Sequence, residues 1–214
     1  MLMSDPITRV IVILPLFLLA IVLHEVAHGY AAYRLGDDTA KRLGRLTLSP
    51  LPHLDPLGTI FLVLSSLQGF GFGWAKPVPV VIERLRNPRR DEVIVTLAGP
   101  AANAVQAVAW AMLVRAVVTP GAAAVFPIGL GTAIAQFCLL GVILNVTLLV
   151  FNLLPIPPLD GSHVAARLLG IEDPHLIGRF AVLGFLALFL LMRFGVWDAI
   201  WDVTVRPVVG LLVG

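Results

Sequence analysis

The stretch Ile7-TRVIVILPLFLLAIVL-His24-Glu25-Val26-Ala27-His28-GYAA-Tyr33 decides the fold. From Val10 to Leu23 it carries no polar side chain, and its length suffices to cross a hydrocarbon core of about 30 Å with some tilt. It then places two histidines and a glutamate inside the same helical pattern. A charged side chain at mid-membrane costs roughly 2.5–3.5 kcal/mol, so such a helix keeps its polar groups for a site or for the bundle interior. Pro15 marks a place for a kink. As a cleaved signal peptide the stretch reads poorly. Arg9 supplies a basic flank and Val10 to Leu23 an apolar core, but no small-residue cleavage site follows and the pattern runs on to Tyr33.

The rest of the chain agrees with a membrane reading. Of 214 residues, 58% are hydrophobic and only 13% charged, against about 25% charged in a soluble domain. The apolar residues come in long runs, so the bilayer is the main solvent. A net charge of +2 gives no sign of nucleic acid as a partner. Cys138 is the one cysteine, which excludes an internal disulfide, and it reads as a small buried hydrophobe.

Five further apolar stretches follow the first. They are Leu57 to Phe72, short and glycine-rich at its end, then Val93 to Val118, Gly131 to Leu154, Leu176 to Met192, and Val196 to Gly214. The last carries Trp197, Asp198, Trp201 and Asp202, which suit an interfacial helix as well as a spanning one. Nine of the fifteen basic residues lie between Arg34 and Arg90, in the loops after the first and second stretches. The positive-inside rule puts both loops in the cytoplasm. They share a side only if Leu57 to Phe72 does not cross, which predicts a re-entrant segment. Asp160, after the fourth stretch, then lies on the cytoplasmic side.

His24-Glu25-Val26-Ala27-His28 is an HExxH pattern. Histidines at i and i+4 share a helix face and grip one metal ion together. Glu25 projects about 60° around the helix from His28. It thus borders the metal without binding it and is placed to take a proton from water there. The competing reading is a pair of core histidines hydrogen-bonded between helices. A catalytic zinc usually has three protein ligands plus water, and the candidates for the third are Asp55, Asp160, His53, His163 and His175. Asp160 follows Asn152-LLPIPPL, where prolines end a helix, and precedes Gly161. On spacing alone it is either a ligand or the cap of a short following helix.

Three motifs occur in order: His24-Glu25-x-x-His28, then Gly99-Pro100-Ala-Ala-Asn103, then Phe151-Asn152-Leu-Leu-Pro155 leading to Leu159-Asp160-Gly161. In this conjunction, which spans Val10 to Gly161 and so most of the chain, the sequence resembles the site-2 protease family of intramembrane zinc metalloproteases. The resemblance implies one zinc per chain, held by His24, His28 and Asp160, with Glu25 as general base and Asn152 positioning substrate. Asn145, one heptad before Asn152, assists substrate binding or makes an interhelical hydrogen bond. Asn103 is expected to tie the core helices together. The length leaves no room for a PDZ or nucleotide-sensing domain, so the likeness is to minimal members. The expected fold is an all-α polytopic membrane protein, a single domain over residues 1–214. It comprises about five to six membrane segments around a three-helix catalytic core. One segment is re-entrant, and short strands lie in the cytoplasmic loops.

Arg45 to Ser49 alternates apolar and polar residues, and Trp74 to Val80 is extended by its prolines. Either offers an edge to an unwound substrate, or is ordinary loop. His53, in Pro52-His53-Leu54-Asp55-Pro56, approaches the zinc, gates access to it, or is a satisfied loop histidine. The expected activity is hydrolysis of peptide bonds in membrane-spanning or membrane-associated proteins near the cytoplasmic face. The expected location is the plasma membrane of a prokaryote. The rival from another class is a membrane zinc-binding transporter or scaffold without proteolysis. It accounts for buried histidines but not for a glutamate between them.

Overall fold

The computed structural model describes residues 5–69, 71–119, 121, 126–127, 129–171 and 178–214. Helix α1 spans Pro6–Leu35. Asp5 starts it, its carboxylate accepting the Thr8 N–H at 2.7 Å, and Pro6 fills the first turn, where no intrahelical N–H is needed. The helix continues through Pro15, and Gly36 ends it at φ 119°, a left-handed conformation that a side chain would resist. A short helix α2, Thr39–Arg42, and a 3-10 turn, Leu51–His53, lead to α3, Pro56–Gln68.

Asp55 caps α3 as Asp5 caps α1, accepting the Gly58 N–H at 2.7 Å. Arg9 of α1 donates to the Ser66 carbonyl at the far end of α3, at 3.2 Å, so the two helices run antiparallel. The chain then comes back along α3 in extended form. A Cβ on Gly58 would lie 2.2 Å from the Trp74 carbonyl oxygen, so only glycine admits this approach. Leu54 and Ala75 form an antiparallel bridge, and the Lys76 N–H donates to the His53 carbonyl at 2.8 Å. The residues entering and leaving α3 therefore lie side by side.

The expected strands do not form among the described residues, where Leu54–Ala75 is an isolated bridge. The reason is the supply of donors. Pro77 and Pro79 have no N–H, the Val78 N–H is taken by Glu25, and the Val81 N–H by buried Asp37. In Arg45 to Ser49, the Ser49 N–H turns back on the Thr47 hydroxyl and the Thr47 carbonyl accepts from His53.

After a 3-10 turn at Ile82–Arg84 come α4, Pro88–Val118, and α5, Leu130–Asn152. Then follow α6, Asp160–Leu168, α7, Ala181–Arg193, and α8, Val196–Ile200. A π turn, Trp201–Val205, joins α8 to α9, Arg206–Val213. Among the described residues three helices, α1, α4 and α5, are long and apolar enough to cross a membrane. The pair α7 and Val196–Val213, bent by 77°, makes a fourth span if taken as one. Part of the link between the stretches ending at Val118 and beginning at Gly131, and the start of the stretch at Leu176, lie outside the described residues.

Helix α4 is the centre, packed along α1 on one side and α5 on the other. Ala107, Ala111 and Val114 of α4 meet Cys138, Val142 and Val146 of α5, with Val205 closing the cluster. Small residues bring the backbones close, as they do where lipid replaces water and dispersion must hold helices together. Gly141 shows how close: a Cβ there would stand 2.6 Å from the Trp110 ring. Gly141→Ala should therefore lower the thermal midpoint in detergent, by the equivalent of about 1–3 kcal/mol of overpacking. Gly210→Ala in α9, with nothing within 4 Å of the added carbon, should leave it unchanged or raise it.

Candidate metal centre

His24 and His28 stand one turn apart on the face of α1 that meets α4. Their Nε2 atoms are 3.0 Å apart. Asp160, at the first turn of α6, brings Oδ2 to 3.2 Å from His24 Nε2 and 3.5 Å from His28 Nε2. Each imidazole is held from behind. His24 Nδ1 lies 2.6 Å from Asn103 Oδ1, and His28 Nδ1 lies 2.7 Å from the Val95 carbonyl oxygen, both on α4. A carbonyl only accepts, so His28 Nδ1 carries the proton, and in the neutral ring Nε2 keeps its lone pair for the cluster.

Asp160 Oδ2 is buried and accepts no hydrogen bond. A buried carboxylate oxygen without a donor, facing imidazole lone pairs, is unfavourable unless a cation lies between them. Two imidazoles and a carboxylate match the donor set of a catalytic zinc. Among the described residues these three form the one such group, with ligand atoms within 4.8 Å of one another. The residues present fit a metal ion.

The motif around Gly99 has a steric cause. A Cβ there would lie 2.3 Å from His28 Nε2 and 2.6 Å from His24 Nε2. Any side chain would occupy the space of the imidazoles. Gly161 has the same part behind Asp160, where a Cβ would stand 2.3 Å from the Leu153 carbonyl oxygen. That contact lets the chain turn tightly from the end of α5 into α6. Leu159, not Asp160, is the N-cap of α6. Of the two uses left open for Asp160, the geometry has its carboxylate toward the histidines.

Three residues hold α6 in place, of which the sequence pointed only to His163, and to that as a possible ligand. Glu92 on α4 is buried and pairs with Arg167 of α6, and its other oxygen lies 3.6 Å from His163 Nδ1. Arg89-Arg90-Asp91-Glu92 reads in sequence as an ordinary charged first turn, and the partners are 71 and 75 residues away, so only the fold pairs them.

Beside the cluster opens a cavity of about 940 Å³, lined by Glu25, Asn152 and His163 with the three cluster residues. Its apolar wall includes Phe17, Ile21, Phe72, Phe151 and Leu188. Glu25 Oε2 accepts the Val78 N–H at 2.7 Å, so the extended segment after α3 fixes this carboxylate. Asn152 donates to the Leu148 carbonyl at 3.0 Å. Asn145 does not line the cavity. It is buried, accepts from Asn103 at 3.0 Å, and makes the interhelical bond that was its other reading. His53 is buried away from the cluster, its Nε2 3.0 Å from the Thr47 carbonyl oxygen. Asp55 is a helix cap, and His175 lies outside the described residues.

The chain has relatives among known proteins. The sequence profile of Peptidase family M50 matches residues 123–192. The "Putative zinc metalloprotease YwhC" of Bacillus subtilis is 42% identical over 147 residues, 69% of this chain and 64% of that one. The "Putative zinc metalloprotease Rip2" of Mycolicibacterium smegmatis is 38% identical over 162 residues, 75% of this chain and 55% of that one. Its namesake in Mycobacterium tuberculosis H37Rv is 32% identical over 186 residues, 85% and 67%. The chain belongs to peptidase family M50, the site-2 proteases. It spans under two thirds of the length of the first two relatives. No solved structure matches it. With three apolar helices and bacterial relatives, this member of the family is a membrane protein of bacteria.

The close approach at Gly99 is directly testable. Gly99→Ala should fold, since alanine suits the helix, but it should push the imidazoles apart. Metal analysis of the purified variant should find zinc reduced at least tenfold relative to the native chain, the scale of disturbing a ligand's support.

Proposed function

We propose that the chain is an intramembrane zinc metalloprotease, a single membrane-embedded domain that hydrolyses peptide bonds of membrane-spanning or membrane-associated proteins. One zinc is held by His24, His28 and Asp160. The observation that carries this reading is the convergence of those three side chains beside a carboxylate, Glu25, that shares their cavity and is not part of the cluster. Zinc supplies Lewis acidity that makes water acidic near neutral pH and polarises a carbonyl.

The chain's own residues do the rest. Glu25 is the general base. One of its oxygens is anchored by the Val78 N–H, and a carboxylate keeps acceptor capacity beyond one such bond. Asn152, on the same cavity wall, positions the substrate. The aromatic and aliphatic lining takes the apolar side chains that flank a cut inside a membrane helix. Such a helix has its backbone bonded internally, so the substrate must unwind locally before its carbonyl is exposed. A transporter or scaffold would use the three ligands but gives Glu25 no task.

The site lies toward the cytoplasmic face of the plasma membrane. Helices α1, α4 and α5 are the spanning core, and the bent pair after α6 completes the bundle. Helix α3 is re-entrant. Its 13 residues rise about 20 Å, too short for a hydrocarbon core of about 30 Å. Its return limb comes back beside its own start. Extended backbone at membrane depth is tolerated where it lines a cavity, as Gly71 to Val78 does.

Glu25→Gln keeps size and polarity but removes the basic carboxylate. Zinc content and fold should stay near native while cleavage falls by about 10² or more. The assay is reconstitution with a single-span substrate carrying a helix-breaking residue near its cytoplasmic end. Equal cleavage by native and variant chains would sink the role of Glu25. For topology, cysteines placed at Arg42 and Arg86 should both react with a membrane-impermeant reagent only from the cytoplasmic side. Labelling from opposite faces would make α3 a crossing segment.

A further inference from the structure

His24 is the end of a chain of buried amides that crosses two helices. Asn145 on α5 donates through Nδ2 to the Gly141 carbonyl at 2.9 Å. Its Oδ1 accepts Asn103 Nδ2 at 3.0 Å. Asn103 Oδ1 faces His24 Nδ1 at 2.6 Å. Asn103 is 0% and Asn145 1% exposed, so water does not compete for these groups.

The direction of this chain follows from its far end. A backbone carbonyl only accepts, so the amide group that Asn145 turns to Gly141 is its NH2. Its oxygen then faces Asn103, which must answer with its own NH2. That leaves the Asn103 oxygen toward His24, and an oxygen demands a proton on Nδ1. Reversing either amide would set NH2 against NH2 or oxygen against carbonyl in a buried place, at the full cost of unpaired polar groups.

We propose that Asn145 and Asn103 form a directional amide relay that locks His24 as the Nδ1–H tautomer and so presents its Nε2 lone pair to the metal. The proposal rests on the reading of His24 as a ligand. Both are positioning residues, and Asn145 acts only through Asn103. Metal-bound histidines generally need such a partner on the other nitrogen. Here the partner is itself oriented by a residue on α5, which ties the packing of α4 on α5 to the state of a side chain on α1.

The test uses the full chain in detergent, with nitrogen-15 spectra of the histidines and zinc affinity by chelator competition. In the metal-free native protein His24 should be protonated at Nδ1. Asn103→Leu should release the tautomer and weaken zinc about 10–100-fold. Asn145→Leu should weaken it less, because Asn103 becomes able to turn over. Asn103→Asp offers oxygen whichever way it sits, so Asn103→Asp combined with Asn145→Leu should restore both tautomer and affinity. A change in packing alone would not be rescued in this way. The relay is overturned if native His24 is protonated at Nε2, or if Asn103→Leu keeps tautomer and affinity within twofold. It is overturned equally if Asn103→Asp fails to rescue. A native chain that keeps the Nδ1–H tautomer but takes up no zinc would overturn the metal reading instead and uphold the lock.

Discussion

Two imidazole nitrogens and a carboxylate oxygen meet within 3.5 Å in a buried place, and the rest of the structure is arranged around that meeting. Groups of this kind do not gather on their own. Each prefers water or a donor, and a place packed between helices supplies little of either. The three must be delivered by rigid elements from separate parts of the chain and braced from behind. Helix α4 does most of the bracing. It gives His28 the Val95 carbonyl, gives His24 the Asn103 amide, and opens room for both rings at Gly99.

Helix α6 depends on the same neighbour. Its first residue is Asp160, and Arg167, about two turns further along the same face, pairs with Glu92 of α4. Removing one member of a buried ion pair costs several kcal/mol, because the other charge remains buried. The pair therefore fixes the orientation of Asp160 as much as the tight turn at Gly161 does. On the opposite wall the chain returning along α3 donates the Val78 N–H to Glu25. His24, His28 and Glu25 thus each have a structural partner from a different element.

The same economy of donors explains why the extended segment did not become a strand. Between prolines 77 and 79 it has a single N–H, and Glu25 takes it. Sequence alternation in Arg45 to Ser49 suggested an edge, but alternation reports only which faces are apolar. Whether a ladder forms depends on a neighbour with unpaired donors and acceptors, and here those groups were already committed to side chains and turns.

The sequence by itself determined the apolar helices, since long runs without charge have one solvent and one way to satisfy their backbone there. It determined the pairing of His24 with His28, because i and i+4 share a helix face whatever surrounds them. Only the tertiary structure decided which of several carboxylates and histidines joined that pair. Asp55 became a cap, His53 turned to a carbonyl, His163 went to Glu92, and Asp160 reached the histidines. It alone decided that Asn145 serves Asn103 rather than the cavity. Those choices depend on contacts between residues tens of positions apart, and a local pattern carries no information on which distant surface will face it.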